Sequence, residues 1–154
     1  MARNLEEYFG KYLPLTSQEK EFLSQLIDIR SFDKKVKLID VGEVDNHLNF
    51  VIKGLVRKYL VKGNEQIVKQ IAKEGMIVSS SVSFFFKEPS RFVLETIEPT
   101  VLASISNENL EKLYASDNKW ERIGRLMMAD LLIEKEYLLL DSIRFSPRER
   151  FLRF

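Results

Sequence analysis

The sequence predicts a mainly-β fold of α+β character: an antiparallel sandwich or barrel of short strands, entered from N-terminal helices and followed by a long C-terminal helix. Three observations predict it. Apolar residues recur on a helical period before residue 30 and again after residue 106. Between those stretches the period falls to two, and turn residues break the pattern every few positions. The chain has 154 residues, 45% hydrophobic and 31% charged, enough for one domain that buries a core without crosslinks.

The elements follow in order. Leu5, Tyr8, Phe9, Tyr12 and Leu13 form one apolar stripe of an amphipathic helix that Pro14 stops. Thr16 and Glu19 have the T-x-x-E spacing of a capping box, in which each side chain satisfies a backbone N–H at a helix start. Phe22, Leu23, Leu26 and Ile27 give that second helix its buried face. From about Ser31 alternation takes over. Val36, Leu38 and Asp40 start a strand, Gly42-Glu43 makes a turn, and Leu48, Phe50 and Ile52 mark a half-buried strand. Gly54 precedes a strand over 55–61. Gly63-Asn64 then has the form of a type II′ hairpin leading back through 67–72. Two more strands are expected at 92–97 and 101–105, parted by Glu98-Pro99-Thr100.

Ser106 is an N-cap for a short helix with Leu110, Leu113 and Tyr114 on one face. Asp117 opens the longest helical run, to about Ile143, and its apolar positions cover more than one stripe. A helix on the surface of one domain needs a single apolar face. This one is either a central core helix or a helix buried on its own barrel and on a second chain. The second reading makes Trp120, Ile123, Gly124, Met127, Leu131 and Leu138 the candidate dimerisation residues. Ser146-Pro147-Arg148-Glu149 is a strong helix start, with Ser as N-cap, Pro at the first helical position and Glu in the capping-box place. Phe151, Leu152 and Phe154 begin an apolar face with nothing after it, which predicts that the chain is the front part of a longer protein.

Composition excludes several chemistries. With no cysteine there is no disulfide, no thiolate nucleophile and no cysteine-held zinc or iron–sulfur site. One histidine, His47, rules out metal sites built on two or three imidazoles, and its place beside Asn46 reads as an ordinary surface position. No nucleophile–base–orienter set is visible, so no catalytic residue, metal ligand or enzymatic activity is expected. No apolar run spans a bilayer and the N-terminus is charged, so no membrane partner is expected and a cytoplasmic location is. The net charge of +1 counts against a polyanion partner for the whole chain. Residues 144–154 carry a local +3, which leaves −2 for residues 1–143.

With these pieces in order, the chain resembles the sensor half of a Crp/Fnr-type transcription regulator, in the divergent branch common in Bacteroidetes. The matching residues are Gly42-Glu43-Val44, Phe50-Val51-Ile52-Lys53-Gly54-Leu55-Val56-Arg57, Pro89-Ser90-Arg91, the strand pair within 95–105, and Ser146-Pro147-Arg148-Glu149-Arg150-Phe151. The resemblance implies a cyclic nucleotide-binding β-roll, an antiparallel double-stranded β-helix or jelly-roll. It also implies a homodimer formed through the long helix, and a C-terminal helix-turn-helix that alone would contact DNA. On this reading residues 1–30 are N-terminal helices and 31–106 the β-roll. Residues 107–143 are the short and dimerisation helices, and 144–154 the start of a truncated DNA-binding domain.

The resemblance makes residues 75–91 the phosphate-binding cassette. In ligand-binding relatives a Gly-Glu-Leu triplet holds the ribose and an arginine pairs with the cyclic phosphate. An ungapped count puts that glutamate on Ser80 and that arginine on Ser90, with Ser79-Ser80-Ser81 in place of the triplet. Both ionic anchors are absent. Each charged hydrogen bond contributes about 1.5–3 kcal/mol, so tight cyclic AMP binding is not expected. Arg91 is one residue off and faces outward unless a bulge turns it in. The candidate binding residues are Gly75, Ser79, Ser80, Ser81, Ser83, Ser90 and Arg91, and the candidate ligands a cyclic nucleotide or another small phosphorylated anion. Either the serines cradle such an anion, or they are turn and cap residues before a short helix at 82–86 whose Phe84, Phe85 and Phe86 fill the pocket. The resemblance therefore implies an effector-sensing and dimerisation domain, or a constitutive dimerisation scaffold with a closed pocket.

Overall fold

The computed structural model describes residues 4–153. Asn4 caps α1 (Leu5–Gly10) by accepting the Glu7 N–H at 2.8 Å. The helix ends at Gly10, before Pro14, and Tyr12 and Leu13 pack on the core from the segment after it. Both halves of the capping box form at α2 (Ser17–Leu26): Thr16 Oγ1 accepts the Glu19 N–H at 3.1 Å, and Glu19 Oε1 accepts the Thr16 N–H at 3.2 Å.

Ile27 does not lie on the buried face of α2. It begins β1 (Ile27–Phe32), so the boundary expected at residue 30 falls inside a strand. No glycine or proline separates helix from strand here. What creates β1 is its partner: it pairs from Ile27↔Ile105 to Phe32↔Thr100 with β8 (Thr100–Ser106). The other strands are β2 (Lys37–Ile39), β3 (His47–Lys53), β4 (Val56–Lys62), β5 (Glu65–Ala72), β6 (Ile77–Val78) and β7 (Phe92–Thr96). They form two four-stranded antiparallel sheets, ordered β1-β8-β3-β6 and β2-β7-β4-β5, a jelly-roll sandwich. β4 and β5 stay paired to Lys62↔Glu65, and Gly63 takes φ +61°, as the two-residue turn requires. Gly54 has φ +103°, and a Cβ there would lie 2.5 Å from Thr100 Oγ1 and 2.7 Å from the Pro99 carbonyl oxygen. That glycine lets β3 turn into β4 against the start of β8.

Two apolar cores result. Val51, Val56, Ala72, Val78, Leu94 and Leu102 meet between the sheets. Leu48, Phe50, Ala103 and Ile105 point the other way, onto Tyr8, Phe9, Leu23, Leu110, Leu113 and Trp120 of the helices. β3 is therefore covered on both faces, Asn49 and Val51 included, and is not the half-buried strand its alternation suggested.

Ser106 caps α4 (Asn107–Ser116) through the Asn109 N–H, and Asp117 caps α5 (Asn118–Arg144) through the Lys119 N–H. Along α5 the environment changes. Trp120, Ile123, Gly124 and Met127 are buried in the chain's own core, with Trp120 edge-on to Phe9 and Gly124 pressed on the Tyr114 ring. These four of the six expected dimerisation residues thus pack within the chain's own core. Leu131 packs partly on the same core, while Leu138 is 62% exposed. At the end of the chain Ser146 and Glu149 exchange both capping-box hydrogen bonds at the start of α6 (Pro147–Arg153). Phe151 and Leu152 are exposed, and Phe154 lies outside the described residues.

Candidate ligand pocket

The cassette leaves β6 at Ser79, makes one short helix, α3 (Ser81–Phe86), and returns through 87–91 to β7. Gly75 enters it at φ +86°, its N–H bonded to the Val51 carbonyl. Six residues of helix cannot turn three consecutive rings the same way. Phe84 is fully buried, but Phe85 and Phe86 are 42% and 75% exposed, so a single aromatic ring fills the interior, not three.

The serines do converge. Ser79, Ser80, Ser83 and Ser90 are buried, Ser81 is half-buried, and Arg91 points to solvent. The Ser80 and Ser90 hydroxyl oxygens are 2.7 Å apart. Ser90 Oγ donates to the Phe92 carbonyl at 2.7 Å and accepts the Phe92 N–H at 3.0 Å, so the proton between the two serines comes from Ser80. The Ser90 backbone is held as well, by Gly42 and Glu43 of the preceding turn. Ser80 stands at the N-cap of α3 but its side chain makes no capping bond, having turned to Ser90.

Two charged residues outside the expected set, Asp45 and Lys58, complete the site. Asp45 is 2% exposed; its carboxylate accepts the Ser80 N–H at 2.8 Å and the His47 N–H at 3.1 Å, and its own N–H donates to Ser83 Oγ at 2.8 Å. Burial raises its pKa, against the two N–H donors and the charges of Arg30 and Lys58. Lys58 of β4 is 7% exposed and points inward beside Val56. Its ammonium donates to the Ser79 carbonyl at 2.9 Å and stands 4.6 Å over the Phe92 ring. Burial lowers its pKa from 10.5 to about 8; Lys135 of α5 pushes the same way and Asp45 opposes. Alternation along β4 does place Lys58 on the face of Val56, so its inward aim had a signal in the sequence. Asp45 sits in a turn and had none.

Behind the site, Arg30 of β1 donates to Ser104 Oγ at 3.0 Å and Asn49 Oδ1 at 2.9 Å, and Ser104 Oγ donates to Asn49 Oδ1 at 2.7 Å. This end of the roll is thus polar where the other is apolar, and among the described residues no buried side-chain polar atom lacks a partner. His47 is half-buried at the start of β3, and burial followed by the Arg30 charge lowers its pKa. Among the described residues no group of three or more acidic, histidine or cysteine side chains is placed to hold a metal, and no helix is long and apolar enough to cross a membrane.

Residues 29–117 match the family model of the cyclic nucleotide-binding domain. No curated protein matches the sequence. Solved structures similar to it include the catabolite activator protein of Thermus thermophilus, 17% identical, covering 86% of this chain and 62% of that one at a TM-score of 0.70. CLP, a c-di-GMP-responsive global regulator of Xanthomonas campestris, is 19% identical, covering 84% of this chain and 62% of its own at 0.66. The sensor domain of the transcriptional regulator DNR of Pseudomonas aeruginosa is 15% identical, covering 90% and 89% at 0.65. The chain thus spans 62% of the length of the first two.

Proposed function

This chain belongs to the cyclic nucleotide-binding domain family, and from that premise we propose that it is the effector-sensing and dimerisation module of a Crp/Fnr-type transcription regulator. The observation that carries the proposal is the far half of α5. Leu132, Ile133, Tyr137, Leu138, Leu139, Leu140 and Ile143 are all 42–75% exposed on one helix that its near half anchors in the core. An apolar surface of that extent needs cover, and the simplest cover is the same helix of a second copy. Leu138 of the expected set belongs to this surface, and Leu131, partly packed on the core, borders it. A ligand in the roll that favours one packing of the paired helices over another would shift the population of dimer geometries. DNA recognition, in this reading, is the work of a separate helix-turn-helix domain, and the module works in the cytoplasm without catalysis.

A second reading, a constitutive dimerisation scaffold without a small-molecule ligand, is favoured by the mutual satisfaction of Ser80 and Ser90. Sedimentation velocity tests the dimer common to both: a species that stays monomeric at micromolar concentration overturns them together. A thermal-shift panel of cyclic nucleotides and phosphorylated metabolites separates them, since silence across the panel leaves only the scaffold.

A further inference from the structure

Arg30, Asn49 and Ser104 share one face of their sheet. Alternation along β1, β3 and β8 puts them in line with Phe32, Val51 and Leu102, which meet between the sheets. They therefore point into the sandwich, where Asn49 and Ser104 are 1% and 0% exposed. Arg30 reaches across β8, donating from Nε to Ser104 at 3.0 Å and from Nη2 to Asn49 Oδ1 at 2.9 Å, and that oxygen also takes the Ser104 proton. These bonds use both acceptor sites of the amide oxygen and leave donors over. Neither Arg30 Nη1 nor Asn49 Nδ2 donates to an acceptor among the described residues. No buried side-chain polar atom there lacks a partner, so both nitrogens open on accessible space. Each lies two covalent bonds from one end of the Arg30–Asn49 hydrogen bond, so the pair flanks it. Among the described residues no carboxylate lies within ion-pairing distance of Arg30. Asp28, on the same face, is exposed and forms no ion pair with it, and Asp45 is held by the N–H groups of Ser80 and His47. A half-buried guanidinium without a counter-ion, beside a buried amide with idle donors, is unfavourable until an anion arrives.

We propose that Arg30 and Asn49 anchor a binding site for the carboxylate of a small organic acid. A carboxylate brings one negative charge and two oxygens, which match one guanidinium charge and the open N–H groups of two nitrogens. A phosphate dianion would leave one of its charges unmatched at Arg30. A cyclic nucleotide also carries one charge, but its ribose finds no grip, because Glu88, the one acidic residue of 75–91, is exposed. Arg30 approaches the interior from β1, across the sheet from the segment where the resemblance looks for an anchor. Leu48 and Phe50, on either side of Asn49, point to the opposite face and join the core that holds Trp120 of α5. A ligand on Asn49 thus acts on the strand that seats the long helix. The inference rests on the sensor reading and names its anchor and ligand class.

The test is NMR titration of the nitrogen-15-labelled chain at pH 7 with acetate, benzoate, inorganic phosphate and cyclic AMP, sodium chloride holding the ionic strength constant. The signals read are the Asn49 side-chain amide and the Arg30 Nε–H. At least one of the two carboxylates shifts both signals saturably and binds more tightly than phosphate or cyclic AMP. Arg30→Gln weakens that binding about tenfold or more. Asn49→Asp exchanges the amide donors for a carboxylate in the same place, which pairs with Arg30, so this variant folds and loses the binding to the same degree. Circular dichroism verifies folding, and Asn49→Asp carries the test if Arg30→Gln does not fold. Undiminished binding by a folded variant, tighter binding of phosphate or cyclic AMP, or no saturable shift from either carboxylate overturns the proposal. Sedimentation of the same samples keeps the two readings apart. A dimer deaf to both carboxylates sinks the carboxylate site alone, and a monomer that binds one through Arg30 sinks the dimer module alone.

Discussion

Ser80 and Ser90 meet hydroxyl to hydroxyl at 2.7 Å, ten residues apart in the chain and buried at 2% and 3%. These are the positions where the resemblance puts a glutamate and an arginine. In this chain the two are a neutral pair whose partners are each other and Phe92. The segment's path is held at both serines: the backbones of Gly42 and Glu43 bond that of Ser90, and the Asp45 carboxylate accepts the Ser80 N–H.

That pairing makes a double-mutant cycle informative. Ser80→Glu or Ser90→Arg alone breaks the serine–serine hydrogen bond and puts a new charge at a buried position, and costs about 2–4 kcal/mol in urea unfolding. The double variant recovers at least about 1 kcal/mol of the summed loss, because the new charges face each other. Strict additivity would show that the two side chains do not meet.

Lys58 predicts an alkaline rise in stability. Its folded pKa, about 8, lies below its ordinary 10.5, so between those values the unfolded chain holds a proton that the folded chain has released. Stability therefore climbs as pH increases from about 8 toward 10, where the tyrosines begin to ionise in the unfolded chain and oppose the trend. Below the folded value both states are protonated and the penalty is constant. Lys58→Met removes it, gaining about 2 kcal/mol at neutral pH and flattening the climb. Chemical denaturation across pH 7–10 tests both parts, and an unchanged slope in the variant refutes the assignment.

Gly54→Ala meets two obstacles at once, a φ of +103° and a Cβ 2.7 Å from the Pro99 carbonyl oxygen. The expected loss is about 3 kcal/mol or more, visible as a lowered midpoint in thermal unfolding. A variant within about 1 kcal/mol of wild type would mean that the turn moves freely.

Leu138→Glu puts a charge on the exposed half of α5 and touches nothing in the chain's own core. The expected outcome is a folded monomer: unchanged helical circular dichroism, and half the mass in light scattering coupled to gel filtration. A variant that remains dimeric moves the interface away from this helix.

Much of the fold was legible because its signals are local. The Thr16–Glu19 and Ser146–Glu149 boxes, the Ser106 and Asp117 caps and the Gly63-Asn64 hairpin each close within a few residues, and each stands where its spacing predicts. β1 and β6 were not legible, because both owe their existence to distant partners: β8 for the one and β3 for the other. The two halves of α5 were not distinguishable for a related reason. Trp120 and Leu138 are equally apolar, and periodicity does not say which of them finds a partner within the same chain.

The site divides in the same way. By itself the sequence supplied the residues, five serines and Arg91 between 75 and 91, and the resemblance set Ser80 and Ser90 against a glutamate and an arginine. Only the tertiary structure decided that the two serines bind each other, that Asp45 braces the cassette from a turn thirty-five residues away, and that Lys58 lies buried within the influence of Lys135. The physical reason is range. A cap or a turn is settled by neighbours along the chain, whereas the charge state and company of a buried group are settled by whatever the fold stacks around it.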